Sequence, residues 1–257
     1  MNGIANRVTQ SCTLRFYAEL NDFLPTNKRQ QNIVYRFHGT PSVKDTIEAI
    51  GVPHTEVDLI LVDGVSVGFE HLLSGGERVA VYPMFERFEI AQVTRLRPVP
   101  LREPRFVLDV HLGKLAHYLR LIGFDTLYRN DYSDVQIVRL SVDQRRIILT
   151  RDRGILKHRT VTHGYWLRNT DAREQLKEVV RAFDLTPRIR PFSRCMECNC
   201  TLGPVNKEAI LEKIPAGVAR DFQVFSQCLD CGRVYWRGSH YDRLTSLLQE
   251  LLSLSVG

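Results

Sequence analysis

The chain has 257 residues, 44% of them hydrophobic and 25% charged, with a net charge of +6. That length buries one large core or two to three smaller ones, and the composition is that of a globular protein rather than a disordered chain. No stretch reaches the roughly 20 apolar residues of a membrane-spanning helix. The opening MNGIANRVTQSCTLRF lacks the apolar run of a signal peptide, so a cytoplasmic location without a membrane partner is expected.

Residues 1–88 read as a small mixed unit. Strands are expected over Thr13 to Tyr17 and Ile33 to Phe37, then a helix over Val43 to Ile50 with Ser42 as its cap. Asp63-Gly64 marks a hairpin between Glu56 to Val62 and Val65 to Val67, and a last strand runs from Arg78 to Tyr82. This ββαββ…β order is that of a β-grasp, ubiquitin-like fold. The phrase LLSGGERVAVYP resembles the end of small sulfur carriers of that fold, whose Gly-Gly tail becomes a thiocarboxylate. Here the chain runs on past Gly75-Gly76, which leaves a binding module able to dock a protein partner. Residues 89–105, rich in proline and arginine, have the composition of a linker.

Residues 106–190 alternate strand and helix, the pattern of a parallel sheet with helices on both faces. The apolar runs Phe106-Val107-Leu108 and Ile147-Ile148-Leu149 read as buried strands that lead into Asp109 and Asp152. Leu112, Leu115, Leu119 and Ile122 recur at helical spacing, and Asp171 with Glu174 opens a later helix as a capping box. Ligands in such sheets sit at the carboxyl ends of strands. Clustered carboxylates there call for a hard divalent cation, Mg²⁺ or Mn²⁺, which activates water and stabilises a charged phosphoryl transition state. The candidate ligands are Asp109, Asp134 and Asp152, with Asp131 and Asp171 as possible additions. Each has a plain alternative as a helix cap or turn residue. Asp125, after Gly-Phe, reads as a turn residue. Arg145, Arg146, Arg151, Arg153 and Lys157 crowd the sequence around Asp152 and suit a phosphodiester substrate. No glycine-rich phosphate loop of the Walker or dinucleotide type is present, so a nucleotide-driven motor or a dehydrogenase is not supported.

Residues 191–257 carry Cys195-x-x-Cys198 and Cys228-x-x-Cys231, the spacing of a tetrahedral thiolate zinc site. Four thiolates close the coordination sphere, so the zinc is expected to be structural. Cys200 reads as a free thiol and Cys12 as a core residue. Arg194 before the knuckles, and Arg233 and Arg237 interleaved with Tyr235 and Trp236 after them, suit RNA. The plain alternative, and the preferred one for Tyr235 and Trp236, is that they pack the ribbon against the main domain. An amphipathic helix is expected over Leu244 to Leu254.

FVLDVHLGKLAHYLRLIGFDT, RRIILTRDRGILK, the double knuckle and CGRVYWRGSHY together resemble one family. It is the PIN-like RNase domain first noted at the C-terminus of the Mut-seven exonucleases, which ends in a zinc ribbon and in many bacterial members follows a ubiquitin-like domain. The resemblance covers nearly the whole chain. It implies a PIN-type fold and metal-dependent RNA cleavage, with Asp109, Asp134 (and nearby Asp131) and Asp152 at the catalytic site. It also implies Cys195, Cys198, Cys228 and Cys231 on zinc. Arg151, Arg153, Lys157, Arg194, Arg233 and Arg237 are then the expected RNA contacts. The rival reading is an RNA-binding or adaptor protein that keeps the fold without catalysis. Cys200 departs from the family pattern, which has glycine after Cys-Asn.

Overall fold

The computed structural model describes residues 9–83, 104–238 and 249. The expected linker, apart from its last two residues, and the expected C-terminal helix, apart from Gln249, lie outside them. Two compact units emerge, residues 1–102 with 152–166, and residues 103–151 with 167–257.

The first unit opens with β1 (Gln10–Phe16), β2 (Asn32–Phe37), α1 (Val43–Ile50), β3 (Val57–Val62), β4 (Val65–Ser66) and β5 (Arg78–Pro83). Alternation sends Cys12, Leu14 and Phe16 of β1 inward and leaves Thr13 and Arg15 on the other face. The sheet runs β2-β1-β5-β3-β4, with β1 and β5 parallel at its centre and the remaining pairs antiparallel. That is the expected β-grasp. The Ser42 side chain accepts the Asp45 N–H at the start of α1, whose Val43 and Ile47 are buried in the core with Leu14, Phe16 and Val81. Asp63 (φ 50°) and Gly64 (φ 85°) form the turn after β3, both left-handed as a two-residue hairpin of the primed type requires.

In the second unit β6 (Phe106–Leu108) is followed by α2 (Gly113–Leu121), β7 (Thr126–Leu127), α3 (Asp134–Gln144) and β8 (Ile147–Thr150). Every residue of β6 and β8 is buried, as central parallel strands demand. β6 pairs in parallel with β7 on one side and β8 on the other. α2 packs against α5 (Ala172–Ala182), and α3 against β6 and β8. Between β8 and α5 come α4 (Arg153–Leu156) and β9 (Gly164–Trp166), which belong to the first unit. There the buried His54 donates from Nε2 to the Val161 carbonyl at 2.7 Å, with its Nδ1 2.6 Å from Glu48 Oε1.

The second unit closes with β10 (Leu202–Val205), α6 (Ala216–Asp221), β11 (Phe225–Cys228) and β12 (Val234–Trp236). β10, β11 and β12 form an antiparallel three-stranded sheet over a small core of Ile210, Ile214 and Phe225. A core of this size is marginal by itself, which gives the neighbouring thiols their importance.

Candidate metal centre and strand-end aspartates

The ligand atoms of Cys195, Cys198, Cys228 and Cys231 all lie within 4.8 Å of one another. Sulfur separations are 3.7 Å for Cys195 and Cys231 and 3.3 Å for Cys198 and Cys228. A zinc ion about 2.3 Å from four thiolates sets tetrahedral edges of about 3.8 Å, so the donor set and its size fit zinc.

The two knuckles repeat one backbone design. In the first, the Cys195 N–H donates to the Cys200 carbonyl and the Asn199 N–H to the Cys195 carbonyl, at 2.8 and 3.0 Å. In the second, the Cys228 N–H donates to the Arg233 carbonyl and the Gly232 N–H to the Cys228 carbonyl, at 2.9 and 3.2 Å. The residue after each second cysteine is left-handed, Asn199 at φ 71° and Gly232 at φ 72°. Glycine is free to adopt that conformation, and asparagine is among the side chains that tolerate it.

Asparagine also brings a side chain that glycine lacks. Asn199 Oδ1 accepts the Thr126 N–H at 2.9 Å, and its Nδ2 donates to Asp125 Oδ1 at 2.7 Å. Asp125 in turn holds Arg146, whose Nη1 approaches Oδ1 at 2.7 Å. From α2, the buried Arg120 donates through Nε to the Thr126 carbonyl and through Nη1 to the Met196 and Glu197 carbonyls. The sheet and the first knuckle are therefore joined by a closed polar network. Two readings of the sequence are corrected here. Asp125 is not simply a turn residue, and Arg146 is a buried partner of that carboxylate rather than one of the cations gathered for a phosphodiester.

Tyr235 points its hydroxyl at Cys195 Sγ, 3.1 Å away, and also accepts the Met196 N–H. Burial would raise the Cys195 thiol, but the backbone N–H groups of the knuckle and the Tyr235 hydroxyl outweigh it and bring the thiol down to about 7. Ionisation is thereby eased at Cys195 alone; Cys198, raised chiefly by burial, and Cys231 are shifted the other way. Cys198, Cys200 and Asp230 form a second close group, so the thiol expected to be free sits beside the knuckle.

Asp109 ends β6. Its N–H donates to the Leu149 carbonyl, and its Oδ2 accepts the Thr150 hydroxyl at 2.8 Å. Oδ1 accepts the Val110 N–H, so the side chain also caps the helical turn that follows. Asp134 is the first residue of α3 and is exposed; Ser133, with Gln136, forms the capping box there. Asp131 is exposed and paired with Arg129 at 2.7 Å. In the first unit, Asp152 caps α4 by accepting the Gly154 N–H. Asp171 caps α5, as expected. Among the described residues, the groups of three or more possible ligands within 4.8 Å are the two built on cysteine, and Asp109, Asp131 and Asp134 are in neither.

The expected RNA contacts differ in their surroundings. Arg151 and Lys157 are exposed. Arg153 stacks 4.0 Å from the Trp166 ring centre and donates to the Asp22 carbonyl. Arg194 donates to the Asn199 carbonyl inside the first knuckle, and Arg233 pairs with Glu197 at 2.9 Å. Arg237 and Trp236 are exposed on the ribbon. The roles of Arg120, Asn199 and Tyr235 are not legible in the sequence alone; the only local signal is the asparagine standing where the second knuckle has glycine.

The Mut7-C RNAse domain matches residues 104–248, and the Mut7-C ubiquitin domain matches residues 9–89. No curated protein matches the chain. Among solved structures, the Haloferax volcanii HVO 2177 protein is similar over 32% of this chain and 95% of its own, at 20% identity and a TM-score of 0.25.

Proposed function

Since the chain belongs to the Mut7-C RNAse domain family, with a Mut7-C ubiquitin domain before it, we propose that it is a metal-dependent ribonuclease. The observation that carries this reading is Asp109, a carboxylate delivered to the end of the central strand β6 and oriented by the Thr150 hydroxyl. Asp134, and behind it Asp131, stand at the start of α3, and Asp152 at the start of α4. All four offer hard oxygen donors of the kind Mg²⁺ or Mn²⁺ takes, and a cation so held would supply activated water and charge stabilisation for phosphodiester hydrolysis. Asp109 and Asp152 have the double duty of capping the turn that follows them, which fixes each carboxylate before any ligand binds. Arg151, Arg153, Lys157, Arg194, Arg233 and Arg237 are the proposed RNA contacts, exposed Arg151, Lys157 and Arg237 being the most accessible. The zinc ribbon is proposed as structural, and the domain limits as 1–88, 106–190 and 191–257 around a linker at 89–105. No helix among the described residues is long and apolar enough to cross a membrane. A cytoplasmic location is part of the same proposal.

The second reading, an RNA-binding or adaptor protein without catalysis, draws on Asp131, whose carboxylate is already taken by Arg129. One experiment separates the two. Purified protein with Mn²⁺ is expected to cleave a labelled RNA, and Asp109→Asn or Asp152→Asn to reduce the rate at least 100-fold. RNA that binds but stays intact under either metal would establish the adaptor, and cleavage unchanged in both variants would remove these aspartates from the site.

A further inference from the structure

The sheet of the first unit has one face covered by its core and, among the described residues, another that is open. Alternation places Asn32, Val34 and Arg36 of β2 on the open face, beside Thr13 and Arg15 of β1 and then Arg78 and Ala80 of β5. Across the rows, Arg15 stands between Asn32 and Ala80, and Thr13 between Val34 and Arg78. Ala80 is small where its neighbours are long. The result is a cavity of about 490 Å³ whose wall includes Arg15, Arg78, Tyr17, Asn32 and Thr13.

Two arginines and one aromatic ring stand on its wall beside the apolar Leu61 and Val79. Arg15 lies 5.9 Å from the Tyr17 ring centre, and Tyr17 stacks on Tyr82 at 4.4 Å with planes 7° apart. A guanidinium held through its face by a ring keeps its N–H edge available for oxygen ligands. The Arg78 backbone N–H is taken by Asp63 Oδ1, but its guanidinium has no partner among the described residues, nor has that of the exposed Arg36. Among the described residues, Asp63 is the one carboxylate lining the cavity. Three arginines on one face attract a polyanion, and the cavity is of nucleotide size, which favours a single strand over a rigid duplex.

We infer that this open sheet face binds the phosphate backbone of single-stranded RNA, with Arg15 and Arg78 on the phosphates and Asn32 and Thr13 supplying neutral hydrogen bonds. It would act as a second RNA contact, made by residues other than those proposed for cleavage, and in that it rests on the ribonuclease reading.

The test uses the full zinc-loaded chain, a fluorescent 12-nucleotide single-stranded RNA and no added Mg²⁺ or Mn²⁺, read by anisotropy across a salt series. Arg15→Gln with Arg78→Gln is expected to weaken binding at least tenfold and to flatten the slope of log affinity against log salt by about 1.4, since each single-strand phosphate contact contributes about 0.7. Arg181→Gln, on α5, serves as the charge control. Circular dichroism establishes that each variant is folded. Affinity and slope equal to wild type would overturn the inference, as would a poly-glutamate peptide binding this face more tightly than the RNA. Because no cleavage is read, a chain that binds as described but never cuts RNA would sink the ribonuclease reading alone. A chain that cuts RNA while the double variant binds normally would sink this one alone.

Discussion

Asp125 and Arg146 are both largely removed from water, and neither charge would be tolerable there without the other. Burial by itself would raise the Asp125 carboxyl. The hydrogen bonds from Arg146 and Asn199 outweigh it and hold the carboxyl below its ordinary 3.8. A folded-state value below the unfolded one means that the stabilisation is fully present above pH 3.8 and fades as pH falls through the lower folded value. Asp125→Ala leaves the buried guanidinium unpaired, and we expect a loss of about 3–5 kcal/mol at pH 7, measured by urea unfolding. The gap between wild type and variant should narrow below pH 3.8, where wild type loses the same charge. A gap that stays constant down to pH 3 would mean that Asp125 acts through packing alone. Arg120 poses the complementary case. Its fork satisfies three carbonyls at once, two of them in the first cysteine knuckle, and a lysine with a single ammonium cannot reproduce that geometry.

At the scale of elements, what the sequence displays is local and what it hides is long-range. Leu115 and Leu119 on α2, the unbroken apolar runs of β6 and β8, and the paired cysteines all announce themselves through spacing. Asn199 meets Thr126 and Asp125 across more than 70 residues of chain, and no periodicity records such a partner. The strand-end aspartates were legible as positions and not as roles, because one carboxylate can cap a turn and hold a metal. The turn after α2 illustrates how a distant segment dictates a local residue. Gly123 has φ 99°, and the segment leading to the ribbon hydrogen-bonds beside it, Arg190 N–H to the Ile122 carbonyl and Phe192 N–H to the Leu121 carbonyl. A Cβ on Gly123 would stand 2.4 Å from the Arg190 carbonyl oxygen. Gly123→Ala is therefore expected to destabilise by about 2–3 kcal/mol or more, from backbone strain with the clash added. Thermal unfolding checks it, and a variant within 0.5 kcal/mol of wild type (about the size of an ordinary surface substitution) would mean that the 190–193 segment moves aside at little cost.

For the molecule as a whole, the β-grasp sheet and the ribbon draw on different sources of stability. The β-grasp sheet closes on a core that includes Leu14, Phe16, Ile47, Ile60 and Val81, enough apolar burial to hold without a metal. The ribbon offers Ile210, Ile214 and Phe225, and its knuckles gather thiols that would repel one another as thiolates unless a cation sits among them. Zinc binding and folding should then be one equilibrium in the ribbon and two separate matters elsewhere. Elemental analysis is expected to find close to one zinc per chain. After removal with a chelator, hydrogen exchange should lose protection at the knuckle amides of Cys195, Asn199, Cys228 and Gly232, which donate the four turn bonds. Amides of β1 and β2, paired with each other in the β-grasp sheet, should keep theirs. The Thr126 amide is the informative intermediate, because its acceptor is the Asn199 side chain rather than another strand. If it loses protection together with the knuckles, zinc helps to order the edge strand β7 of the parallel sheet as well as the ribbon. If the knuckle amides stay protected in the metal-free chain, the thiols are held by packing, and the structural role assigned to zinc is wrong.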